Sequence, residues 1–137
     1  MSTETTPVSR ALAFRQALEQ GVLVADGAMG TMIQRYGLTS ADYHGERFKH
    51  HSTDQTNNMD LISLVRPDII EEIHTQYLQA GADIVETNTF GANGITLREF
   101  DMVELTYEMN LESARIARRA VEKVMAEDPS KPRFVAG

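Results

Sequence analysis

The chain has 137 residues, 42% of them hydrophobic and 24% charged, an ordinary balance for a globular domain that buries a core. Its net charge of −7 disfavours nucleic acid or an anionic membrane as a partner, because both require positive charge facing phosphate. It has no cysteine, which excludes disulfides and any thiolate-ligated metal site within these residues.

No apolar run approaches the ~20 residues of a membrane span, and MSTETTPVSR lacks the basic start and apolar centre of a secretory leader, so the expected location is cytoplasmic. Residues 1–8 read as a flexible amino terminus. A helix opened by Pro7 or Ser9 runs to Gln20, with Leu12, Phe14, Ala17 and Leu18 as its apolar content, and Gly21 stops it. Residues 22–25 predict a short buried strand that enters the turn DGAMGT. A hairpin is refused because Met32, Ile33 and Tyr36 then recur at helical spacing, up to a stop at Gly37. Residues 39–60 show no sustained apolar period and predict a long loop.

A helix begins at Arg66-Pro67-Asp68, with Asp68, Glu71 and Glu72 near its positive end and Ile69, Ile70, Ile73, Tyr77 and Leu78 as its apolar face. Gly81 ends it, and ADIVETNTF predicts a second strand of about eight residues, β-branched enough for burial. A third helix over 103–127 carries an apolar stripe of Ala114, Ala117, Val121 and Val124, and Asp128-Pro129 breaks it. PRFVAG then begins a third strand. The order predicts an α/β fold with a parallel sheet and right-handed crossovers, in either a barrel or an open sheet. Two to three units are present, whereas an eight-unit barrel takes about 250 residues, so the chain reads as incomplete.

Two polar clusters fall at strand carboxyl ends, where α/β proteins bind ligands. At the first, residues 27–30 give GxxG and not the dinucleotide GxGxxG, Thr31 stands where a P-loop needs lysine, and Asp26 repels phosphate. Asp26 suits an ammonium and the amide N–H groups after it suit a carboxylate, a match to the two charges of an amino acid. The spacing equally permits Asp26 to cap the following helix. At the second cluster, Glu86, Thr87, Asn88 and Thr89 finish an apolar strand and must find partners, either a ligand or the loop that follows. His50, His51 and Asp54 fall in a polar loop without the rigid support a metal site needs. His44 and His74 are isolated, His74 being expected at a partly exposed helix flank. The methionines suit core filling, and Glu112, Arg115, Arg118, Arg119, Glu122 and Lys123 suit a solvated face.

VADGAMGTMIQRYGL, GERF, AGADIVETNTF, the Asn110-containing EMNLESARIARRA and KPRFVAG, in that order, resemble the amino-terminal homocysteine-binding domain of the cobalamin-dependent methionine synthases over roughly residues 12–137. Related homocysteine methyltransferases share the weaker core. The resemblance implies a (β/α)8 TIM barrel, of which residues 9–137 would be the amino-terminal portion, cut in strand 3. It implies that homocysteine, held at the strand ends, binds zinc through sulfur, and that the resulting thiolate takes a methyl group from methylcobalamin, supplied ultimately by methyltetrahydrofolate, to give methionine. By position it implies Asp26, the amides of Gly27 and Ala28, and Glu86, Thr87 and Asn88 as holders of the amino-acid end. The family's three zinc-binding cysteines come from later strands and are absent here, as are its cobalamin- and folate-binding modules. The expectation is therefore a truncated piece that is inactive alone. The rival expectations are a noncatalytic amino-acid-binding module and an α/β enzyme that binds phosphate at GAMG.

Overall fold

The computed structural model describes residues 7–137; the expected loose amino terminus falls mainly on residues 1–6, outside the described residues. Helix α1 spans Pro7–Gln20, and proline suits a first helical position because its missing N–H would have had no partner there. Phe14 sets its ring edge-on to Phe134 at 5.0 Å, while Leu12 and Leu18 stay largely exposed. None of the expected apolar residues of α1 belongs to the buried core; Phe14 and Ala17 are half-buried.

The sheet is shorter than the sequence predicts. Strand β1, Ile84–Glu86, pairs in parallel with β2, Phe134–Ala136, with Val85 opposite Val135. The expected strand at 22–25 contracts to a single parallel bridge between Ala25 and Ile84, and the expected eight-residue second strand contracts to three. Pairing decides both lengths. The Val24 carbonyl accepts N–H bonds from Asp83 and Ile84 at 2.7 and 3.2 Å, and the Asp26 N–H reaches the Ile84 carbonyl at 2.9 Å, after which no ladder continues. β1 is therefore the central segment, with the 24–26 segment on one edge and β2 on the other.

The described residues 39–60 are not one loop. Helix α2, Met29–Gln34, is followed by Gly37 at a positive φ of 59°, and helix α3, Ser40–His44, is started by a reciprocal cap between Thr39 and Asp42. A 3-10 turn, Met59–Leu61, leads into a four-residue helix α4, Ile62–Val65, that apolar periodicity cannot register because it is one turn long. Helix α5, Pro67–Ala80, ends in a left-handed Gly81, whose N–H and that of Ala82 cap the carbonyls of Leu78 and Tyr77. Two further 3-10 turns, Thr96–Phe100 and Val103–Leu105, precede helix α6, Thr106–Glu127, which starts three residues later than predicted.

Three apolar clusters hold these elements. Ile33, Tyr43, Ile62, Ile69, Ile70, Ile73 and Ile116 gather α2 to α6; the predicted face of α5 is buried as expected, with Tyr77 half-buried. Val85 packs with Leu78, Ala117, Ala120, Val121 and Val124, so the α5–α6 pair covers one face of the sheet. The α6 stripe is wider than predicted and rotated, because Ala114 is exposed while Ile116 and Ala120 are buried. Leu61, Ala92, Leu97, Met102 and Met109 form the third cluster, beneath the loop that leaves β1. Methionine fills core there.

His74 departs most from expectation. It is fully buried on α5, and neither ring nitrogen has a hydrogen-bond partner among the described residues. Burial drives its pKa down to about 4, against a smaller upward pull from Glu71. The i, i+4 spacing from Ile70 and to Leu78 puts it on the apolar stripe, and the helix buries the stripe whole.

Candidate functional site

The two polar clusters meet. An open cleft of about 570 Å³ at the carboxyl ends of the strands is lined by the Asp26 turn, by Glu86, Thr87 and Asn88, and by Asp60 from the Met59–Leu61 turn. Both Asp26 carboxylate oxygens accept the Glu86 backbone N–H, at 3.1 and 3.2 Å. The carboxylate thus continues the parallel pairing beyond the point where backbone partners run out. Asp26 does not cap α2, whose amino end has no side-chain cap among the described residues. Desolvation pushes the Asp26 carboxyl above the usual carboxylate range and the Glu86 charge adds to the rise, while the Glu86 N–H pulls it back.

Gly27 lies in close contact with α5. A Cβ there would stand 3.1 Å from the Tyr77 hydroxyl, which donates to the Ala28 carbonyl at 3.2 Å and ties the turn to α5. The N–H groups of Gly27 and Ala28 donate to no acceptor among the described residues. On the opposite wall the Glu86 side chain is exposed. Thr87 shares a 2.7 Å hydroxyl contact with Thr89, and its backbone N–H bonds the Ala136 carbonyl at 2.9 Å.

Asn88 is more structural than the sequence predicts. Its amide group donates to the Met59 carbonyl at 2.8 Å and to Ser63 Oγ at 3.1 Å, and its own carbonyl accepts from Ser113 Oγ at 3.1 Å. Ser63 and Ser113 are themselves buried and 2.8 Å apart. A buried polar trio therefore locks the end of β1 to α4 and α6, and the side-chain oxygen of Asn88 has no partner among the described residues.

Asp60, which belongs to neither polar cluster of the sequence, also lines the cleft. Its carboxylate is buried and accepts the Gly91 N–H at 3.1 Å; burial raises its pKa, against the opposing effect of that bond. The usable signal was an acid directly before the apolar run LISLV, a place where a carboxylate must be partnered if the run is buried. His51 bonds the carbonyl of Asp101 and Asp54 bonds Ser40 and Thr56, and among the described residues no group of three or more His, Cys, Asp or Glu could hold a metal ion.

Residues 23–137 match the model of the homocysteine S-methyltransferase family. Among solved structures the chain is similar to the oxidized form of the homocysteine methyltransferase MmuM from Escherichia coli, with 26% identity and a TM-score of 0.71 over 90% of this chain and 39% of that one. The metallated form of the same enzyme matches with 25% identity and a TM-score of 0.68, over 90% and 40% respectively. The chain thus spans about two fifths of the length of those enzymes. The central β1, the parallel bridge and β2, each followed or preceded by its helices, correspond to part of a TIM-barrel fold. By the match of its sequence over 23–137, the chain belongs to the homocysteine S-methyltransferase family.

Proposed function

We propose that this chain carries the amino-acid-recognising rim of a methyltransferase that converts homocysteine to methionine. The observation that carries the reading is the junction of Asp26 with the end of β1, which sets around one cleft two carboxylates and two N–H groups that have no partner among the described residues. An α-amino acid presents an ammonium and a carboxylate about one carbon apart. Asp26 and Glu86 would hold the first, the N–H groups of Gly27 and Ala28 the second, with the Thr87 hydroxyl and the Asn88 side-chain oxygen in reach of the chain between. Family membership supports homocysteine as that amino acid.

The methionine synthase branch of the family, in which methylcobalamin is the donor and methyltetrahydrofolate restores it, is supported by the ordered motifs VADGAMGT and GADIVETNTF. The proposal includes a cytoplasmic location, which a cysteine-free composition suits. The residues present do not fit the thiolate-ligated zinc of that branch, for the chain has no cysteine and the described residues offer no alternative group. The role proposed for this chain therefore stops at binding and orienting the amino-acid end. A noncatalytic amino-acid-binding module would use the same cleft. Phosphate at GAMG is opposed by the Asp26 charge.

Saturation-transfer NMR on the 137-residue chain tests the reading. L-homocysteine and L-methionine are expected to bind and 4-mercaptobutanoate, which lacks the amino group, is not. Equal signals from all three, or saturation by inorganic phosphate in their place, would overturn it.

A further inference from the structure

The loop that leaves β1 is fixed by polar anchors where apolar ones are missing. Thr89 is half-buried, and Phe90 is fully exposed at the mouth of the cleft; Ala92 is the next residue whose side chain enters the core. Two bonds from one turn hold this stretch: the Met59 carbonyl takes the Asn88 amide, and the Asp60 carboxylate takes the Gly91 N–H at 3.1 Å. The second contact is close enough to dictate a residue. A Cβ on Gly91 would stand 2.6 Å from the other Asp60 oxygen, so the carboxylate lies directly on the bare face of the glycine.

We propose that Asp60 is a positioning residue of the cleft, which by anchoring Gly91 holds Thr87 and Asn88 at the distance from the Asp26 turn that an amino acid requires. The inference rests on the reading of the cleft given above. The two walls are anchored separately: the Asp26 side is tied to α5 through Tyr77, whereas the β1 exit is tied to the 58–61 turn through Asn88 and Asp60. Without Asp60 the strap from Thr89 to Gly91 loses its direct anchor and is held only at its flanks, by Asn88 on one side and by the buried Ala92, whose carbonyl accepts from Asn110 Nδ2 at 2.7 Å, on the other. Asparagine at position 60 still offers an oxygen to the Gly91 N–H; alanine offers none.

Hydrogen-exchange mass spectrometry and ligand-observed NMR on the full 137-residue chain separate the possibilities, since both tolerate self-association. In D60A the peptide covering 87–92 is expected to exchange about tenfold faster and the Kd for L-homocysteine to rise about tenfold, the loss of one charge-assisted bond, with D60N close to wild type in both. Gly91→Ala breaks the same contact from the other side and is expected to reproduce D60A if that variant does not fold. Unchanged exchange at 87–92 in D60A would overturn the anchor, and faster exchange with unchanged Kd would overturn the positioning role. A wild-type chain that binds no homocysteine would instead overturn the reading of the cleft, and the exchange comparison would then decide the anchor by itself.

Discussion

The Asp26 carboxylate reaches across from the end of one strand segment to take the backbone N–H of Glu86 on its neighbour, at 3.1 and 3.2 Å. One side chain thereby serves pairing and charge at once. Asp26→Asn keeps an acceptor for that N–H and loses the charge, so stability is expected to change by less than about 1 kcal/mol while homocysteine affinity falls about tenfold or more. Asp26→Ala should cost about 1 kcal/mol more, read from a urea melt. Because burial raises the folded pKa of Asp26, its ionised form is disfavoured in the fold. Its stability contribution is full below the unfolded value of 3.8 and is lost as pH rises through the folded value, while ammonium binding strengthens over that same rise. Titrating affinity from pH 4 to 7 checks the sign.

His74 should act in the opposite direction. Its folded pKa of about 4 lies below the unfolded 6.5, so the unfolded chain binds more protons between those values. Stability is fully present above 6.5 and falls as pH drops toward 4, by about 3 kcal/mol at most. His74→Leu is expected to flatten this slope and to raise stability at pH 5, since it removes two buried unpartnered nitrogens. Urea midpoints at pH 5, 6 and 7 for both chains decide it, and parallel curves would reject the assignment.

Asp83 staples the amino ends of the sheet segments. It accepts the Val24 N–H at 2.8 Å and faces Lys131 at 2.9 Å and Arg133 at 3.5 Å. Burial alone would raise its pKa, but the Val24 N–H and the two cations outweigh that and hold it below 3.8. Its contribution is present above that value and lost as pH falls through the folded pKa. Asp83→Ala leaves Arg133 buried without its partner and is expected to cost about 3 kcal/mol, with loss of exchange protection at Val24 and Phe134. A cost under ~0.5 kcal/mol would show that the staple is dispensable.

The chain by itself is expected to be marginal and to lack turnover. Val22 and Val24 are 91% and 55% exposed, and β2 is paired along one edge only within the described residues, which invites association. Analytical ultracentrifugation should show concentration-dependent oligomers, and the urea midpoint should be low and should rise with chain concentration. A monomer whose midpoint does not depend on concentration would refute this. Incubation with methylcobalamin, homocysteine and zinc should yield no methionine above the protein-free control; homocysteine would remain mostly a thiol, whose ordinary pKa is about 8.5.

How far the sequence reached can be argued element by element. Helices α5 and α6 were legible because long apolar periodicity records a buried face directly, and Gly81 marks its own end. The meeting of Asp26 with Glu86 was legible too, since parallel strands joined by helices bring their carboxyl ends to one rim. The strand at 22–25 was overread because a strand needs partners, and Ala25 pairs only with Ile84. Helix α3 hid in TSAD, a cap with aspartate where glutamate is usual. The remainder depended on distant chain segments. Asn88, Ser63 and Ser113 lie 25 and 50 residues apart in sequence yet form one buried trio, Asp60 meets Gly91 across 31 residues, and His74 gives up its partners to stay in an apolar stripe. Local propensity and the direction of parallel strands set which residues share the rim, because each acts through neighbours in sequence or through topology. Which polar groups end up partnered was decided only by tertiary packing, because a buried donor or acceptor takes whatever partner the folded chain brings within about 3 Å.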